Sequence, residues 1–253
     1  SDVSRLKNIF ATQRKIMTLL VLDECHWGIG ENSNLDKLLR NDICAVIESA
    51  VVDDTVYALH MSATPFHHIT LNQELEKEYF KFVKLETSSE YTGFDDISHR
   101  VHDVPQILDG PNLSKGFMQC VESFKKLCKK DGNKYMVIRD NNQKLDTRKL
   151  LEVKLNIDVI QIDDEQQNIT DFDNIISRSP VSPTIILLKL ALGAGNTIDT
   201  KNIGCWFESA TEGMDTLAQR IGRCLGYNKK NDSFRIYCQE SAYNEICDFY
   251  EGY

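Results

Sequence analysis

The sequence predicts an α/β protein of two lobes, each with a mainly parallel sheet. Three observations predict it. Apolar runs such as "IMTLLVLDE" and "PTIILLKLALG" are continuous rather than alternating, as in strands buried on both faces. Segments with helical spacing separate these runs. One break rich in proline and glycine, "DVPQILDGPNLSKG", sets a boundary near residues 104–114.

The elements follow in chain order. "IMTLLVLDE" is a strand, "LDKLLRNDICAVIESA" a helix and "TVYALHMSAT" a second strand. "TSSEYTGFDDISHR" is polar and aromatic without clear periodicity. Beyond the break, "KGFMQCVESFKKLCKKDG" is an amphipathic helix stopped by Gly132, and "KYMVIRDN" is the strand after it. "KLDTRKLLEVKLN" is helical, and "IDVIQID", "PTIILLKLALG" and "NIGCWFES" are strands. "GMDTLAQRIGRCLG" is a helix and "DSFRIYCQ" a late strand. The domains are thus residues 1–106 and 107–253.

Composition narrows the function classes. The 253 residues carry a net charge of −9, with 42% hydrophobic and 26% charged residues. Such a chain buries a core, and it is not a wholesale nucleic-acid coater, so any nucleic-acid contact needs a local patch. The eight cysteines are scattered, without a C-x-x-C pair. They read as reduced, buried thiols of an intracellular protein rather than zinc ligands. No apolar run approaches the roughly 20 residues needed to span a bilayer. The start, "SDVSRLKNIF", is no signal peptide; it lacks a Met and begins inside a helical pattern, as a cut edge would. His67 and His68 are adjacent, so on a strand they point apart, and they make a poor metal pair. Trp27 and Trp206 read as core or rim packing.

Three segments carry chemistry. Asp23 and Glu24 end an apolar strand, where ligands bind in open parallel sheets. An Asp there can hold Mg²⁺ through its water shell, and a Glu can take a proton from an attacking water. Two solvated acids at a strand end would look the same. "SATP" follows the next strand, where Ser62 and Thr64 can bond the acids; it would also serve as a plain turn. In "LAQRIGRCLGY", Gln219, Arg220 and Arg223 are three and four apart on a packed helix. Arginine forks suit the charge of a transferring phosphoryl group, although a basic helix face is the plainer alternative.

Taken together and in this order, the segments resemble the superfamily 2 helicase core. "DECH" (Asp23 to His26) resembles its D-E-x-H motif II and "SAT" its motif III. "KYMVIRDN" is similar to the motif IV strand, "LALGAGNTIDTKNIG" to motif V and "QRIGR" to motif VI. "QRxGRxL" is closer to DNA-repair and type III restriction-like helicases than to the DEAD-box RNA group. The resemblance implies two RecA-like lobes, the first incomplete at its N-terminus. It implies ATP hydrolysed with Mg²⁺ at the inter-lobe cleft, and translocation on nucleic acid, DNA before RNA. Asp23 would hold the metal and Glu24 would activate the water. His26, Ser62 and Thr64 would couple the site to movement. Gln219 and Arg223 would reach the γ-phosphate, and Asp199 and Arg220 would serve nucleotide binding. Gly193, Ala194 and Gly195 would let the backbone approach a phosphate of the nucleic acid.

Two departures qualify this. No glycine is followed by lysine, so G-x-x-x-x-G-K-[ST] is absent from these residues. In the family that loop precedes motif II, so a longer protein with the loop upstream is expected, and this chain alone should be inactive. Gly226 stands where motif VI has a second finger. Competing readings are a non-catalytic helicase-fold scaffold and the motor subunit of a larger restriction, repair or replication complex.

Overall fold

The computed structural model describes residues 18–23, 56–61, 88–139, 147–163, 169–189, 198–209, 214–227 and 233–251. The chain forms two compact units, Ser1–Val83 and Lys84–Tyr253.

In the first unit, β1 (Thr18–Asp23) pairs in parallel with β2 (Val56–Met61), placing Asp23 opposite Met61. The strand expectation for both runs holds. The expectation that β1 is buried on both faces does not hold at Val21, which is 48% exposed. The face to which Val21 points is therefore incompletely covered.

The second unit opens with β3 (Tyr91–Thr92), α1 (Phe94–Ile97), a 3₁₀ turn and β4 (Val101–Asp103). β5 (Leu108–Asp109) and β6 (Asn112–Leu113) form a small hairpin, turned at Gly110, which has φ +60. Then come α2 (Lys115–Asp131), β7 (Tyr135–Arg139), α3 (Thr147–Leu155), β8 (Asp158–Asp163), α4 (Ile169–Ile176) and β9 (Thr184–Lys189). The unit continues with β10 (Ile203–Glu208), α5 (Met214–Gly222), β11 (Gly226–Tyr227), β12 (Arg235–Cys238) and α6 (Glu240–Glu251). Six strands make one sheet in the order β4-β12-β10-β7-β9-β8. Every pairing in that sheet is parallel, as continuous apolar strands require.

The Pro/Gly break expected to part the lobes near 104–114 lies inside the second unit, and the chain divides at Val83/Lys84 instead. The reason is strand pairing. β4 precedes the break, yet it forms the edge of the large sheet against β12, with Val101 opposite Ile236. β3, also before the break, pairs with β11.

The core explains the burial pattern. All five residues of β7 and all six of β10 are buried, because helices cover both sheet faces. Phe117 of α2 meets Phe207 of β10 edge-on at 5.3 Å between ring centroids, and both are fully buried. α2 starts where Ser114 caps it: Ser114 Oγ accepts the Phe117 N–H at 3.0 Å and donates to the Gln106 carbonyl. It ends at Gly132, with φ +85, as its sequence predicts. Asn202 ties α4 to β10: its Nδ2 donates to the Ile176 carbonyl at 2.8 Å and its Oδ1 accepts from Ser179 at 2.9 Å. Trp206 is fully buried, in line with the packing role expected of it. Among the described residues no helix is long and apolar enough to cross a membrane.

Candidate functional site

The topology selects one edge of the large sheet. From β7 the chain moves outward to β8, returns to β9 beside β7, and crosses to β10 on the other side of β7. Connections therefore diverge between the carboxyl ends of β7 and β10, which is where open parallel sheets bind ligands.

Two charged residues end those strands as register partners, Arg139 on β7 and Glu208 on β10. Ser209 prolongs the pairing by donating both its N–H (3.3 Å) and its hydroxyl to the Arg139 carbonyl. The helix after β10 adds two more arginines. Arg220 lies within α5, and its Nη1 donates to Glu208 Oε1 at 3.0 Å. Arg139 Nε lies 3.9 Å from the same oxygen. Arg223 stands one residue past the helix end rather than on its face. There the helix tightens, with Cys224 N–H bonded to the Ile221 carbonyl (2.8 Å) and Leu225 N–H to that of Gly222 (3.1 Å). The Arg223 carbonyl accepts the Ile198 N–H at 2.8 Å, which fixes the turn to the chain leading into β10.

Two guanidiniums thus share the Glu208 carboxylate in a buried setting, and a third, that of Arg223, is buried as well. Glu208 is 1% exposed, and Arg139, Arg220 and Arg223 are 8%, 9% and 8% exposed. Glu208 answers Arg220 directly and Arg139 at longer range. Arg223 Nε and Nη1 are buried and have no hydrogen-bond partner among the described residues. Burial, Arg139 and then Arg220 push the Arg223 pKa below its usual value; Cys224 and Glu208 only partly oppose this. N–H donors of a buried cation need an acceptor, which a carbonyl oxygen, a water or an anion can supply.

Of the residues singled out in the sequence, Arg220 and Arg223 are brought together here, and Gln219 is half-buried on the same helix. Asp199 follows Ile198, whose N–H bonds the Arg223 carbonyl; it is exposed, and its Oδ1 accepts the Lys201 N–H at 2.9 Å. The Asp23 side chain and Glu24, His26, His67, His68, Ser62, Thr64, Gly193, Ala194 and Gly195 lie outside the described residues. Arg139 and Glu208 were missed by sequence reasoning. The available signal was the one used for Asp23: a charged residue closing a buried strand.

Gly226 has φ +122, a region that side-chain-bearing L residues rarely adopt, and it opens β11, opposite Thr92 of β3. Glycine adopts this turn into a strand freely, whereas a side chain there would be strained.

The parallel sheet and its switch point define a doubly wound α/β protein. The family assignment follows: the model described as "Circularly permuted SF2 helicase found in GREB1 proteins" matches residues 1–247, and the chain belongs to that family. A viral relative, "Uncharacterized protein L594" of Acanthamoeba polyphaga mimivirus, is 26% identical over 234 residues. That match covers 87% of this chain and 56% of the relative, so the chain spans about half the relative's length.

Proposed function

We propose that this chain is the core of a nucleic-acid-dependent ATPase of the DExH type, a helicase or translocase acting on DNA. The observation that carries the reading is Arg223: a buried guanidinium with two donors unmet among the described residues, just past the helix that follows β10 at the switch point of a parallel sheet. Those donors suit the oxygens of a transferring phosphoryl group, where a finger arginine is worth on the order of 10³–10⁵ in rate. Glu24, next to Asp23, would take the proton from the attacking water. Mg²⁺, held by Asp23, would supply the remaining charge neutralisation. His26, Ser62 and Thr64 would relay the change of state, with Gln219 beside Arg223 and Asp199 towards the ribose. Gly193 to Gly195 would let the backbone meet a strand phosphate. Two RecA-like lobes, carried by residues 1–83 and 84–253, are part of this reading.

The phosphate loop is the feature these residues lack. In a permuted core the motif order is rotated, so the loop is expected to follow motif VI in sequence rather than to precede motif II. The test is ATPase activity of longer forms extended at either end. Activity stimulated by nucleic acid is expected with the C-terminal extension. In that form Glu24→Gln should lower turnover by about 10²–10⁴-fold while nucleotide still binds. Arg223→Ala should also cut turnover strongly. Wild-type turnover in Glu24→Gln would sink the reading.

A second reading is a non-catalytic scaffold, possessing the fold without hydrolysis, within a larger complex. Gly226 favours it, because the second finger is replaced by a conformation an arginine would not hold. Longer forms that bind nucleic acid yet leave ATP intact would select it.

A further inference from the structure

We propose that Glu208 and Arg220 are the positioning pair of this site: Glu208 serves Arg220 as a fixed counter-anion, and the anchored end of α5 then presents Arg223, and not Arg220, to the phosphoryl group. The inference rests on the nucleotide reading above and deepens it, because it takes Arg220 out of nucleotide binding and gives Glu208 a part.

Glu208 closes β10, whose six residues are all buried. A carboxylate at that depth needs a cation, because an unpaired buried charge is costly. Arg220 supplies one: its Nη1 donates to Glu208 Oε1 at 3.0 Å, and both side chains are almost wholly shielded from water. Water competes little there, so the charge-assisted bond ties α5 to the sheet. Leu217, Ala218 and Ile221 are buried on the same helix. Little slack lies between this anchor and Arg223. Gly222 ends the helix two residues on, and the tight turn bonds Cys224 N–H to the Ile221 carbonyl and Leu225 N–H to that of Gly222. The Arg223 carbonyl is held in turn by the Ile198 N–H. The two arginines thus stand in different states. Arg220 already has an anion, and a phosphoryl group would have to displace a carboxylate that the strand fixes in place. Arg223 Nε and Nη1 have no hydrogen-bond partner among the described residues, so an anion meets them without displacing another. The motif VI resemblance assigns both arginines to the nucleotide; the ion pair with Glu208 separates their roles.

The experiment titrates the 253-residue chain with inorganic pyrophosphate by calorimetry at constant ionic strength, at a temperature where melting curves show each variant folded. The expected result is saturable binding by the wild type and a loss of roughly tenfold or more in affinity for Arg223→Gln, the worth of one charge-assisted hydrogen bond. Arg220→Met should also lose roughly tenfold, because it strands the Glu208 carboxylate beside the anion site and releases the end of α5. The decisive variant is the double Glu208→Met/Arg220→Met, which leaves no half of the pair unpaired and replaces it with apolar side chains. It should regain affinity to within about threefold of the wild type, since replacing a buried pair costs far less than breaking it. A positioning pair is rescued in this way; a phosphate ligand is not. A double variant as weak as Arg220→Met would overturn the proposal, as would Arg220→Met with wild-type affinity or a wild type that does not bind. If the double variant does not fold, Arg220→Lys carries the test: it keeps the ion pair and loses the fork, and a loss of roughly tenfold would show that the fork itself meets the anion. Failure of the ATPase reading registers separately, as a longer form that leaves ATP intact while the double variant still regains pyrophosphate binding.

Discussion

Arg223 and Gly226 are three residues apart and illustrate how backbone geometry limits chemistry. The resemblance to motif VI would put an arginine where Gly226 stands. Here its φ of +122 commits it to a conformation that costs a non-glycine residue about 1–3 kcal/mol. Gly226→Arg should therefore lower unfolding free energy by that amount in denaturant titrations. Unchanged stability would show that the backbone yields to the side chain.

Elements hold the site by their ends. α2 covers β7 and β10, and its start depends on Ser114, which accepts from Phe117 N–H and donates to Gln106. Ser114→Ala should cost about 1 kcal/mol, the usual worth of an N-cap, measured as a shift in denaturation midpoint at unchanged slope. The slope should stay unchanged because the Ser114 hydroxyl bonds only Phe117 and Gln106 at the start of the helix, so the unfolded surface is the same. α6 shows the reverse case, an element the sequence reading passed over. Ala242, Tyr243 and Ile246 are buried along it at helical spacing. The Tyr243 hydroxyl donates to the Phe94 carbonyl, and Phe94 stacks on Tyr250 at 5.4 Å. The periodicity was present; it was outweighed by its position after the last recognisable motif.

For the whole molecule, the thiols set an alkaline limit. Burial and nearby carboxylates push Cys238 from 9.0 up to about 12, and burial pushes the half-buried Cys247 up to about 11. A raised folded-state pKa means the folded chain holds protons that the unfolded chain releases. The stabilising contribution is complete below pH 9 and is lost as pH rises from there to about 12. For Cys238 the slope approaches roughly 1.4 kcal/mol per pH unit in that window; Cys247 adds less because solvent screens it. Denaturant titrations from pH 8 to pH 11 should show stability falling above about pH 9. Alkylation at neutral pH should leave Cys120, Cys128, Cys205, Cys224, Cys238 and Cys247 unmodified until the chain unfolds, since thiolate is the reactive form. Rapid labelling of Cys238 in the folded chain would contradict its placement in β12.

By itself the sequence determined the α/β class, the parallel pairing and the elements α2, β7, α3, β8, β9, β10, α5 and β12. Apolar continuity and helical period are local properties, and they survive without knowledge of partners. It also brought out Arg220 and Arg223, because their spacing is local too. Only the tertiary structure decided which strand lies beside which. The crossing from β9 over β7 to β10 joins Arg139 to Glu208, and the pairing of β4 with β12 carries the second unit back past the Pro/Gly break to Lys84. Neither is written in any window of sequence, because strand pairing is a contact between distant segments chosen by the whole packed sheet. The same holds for Gly226, whose φ is set by the register of β11 on β3 and not by its neighbours in the chain.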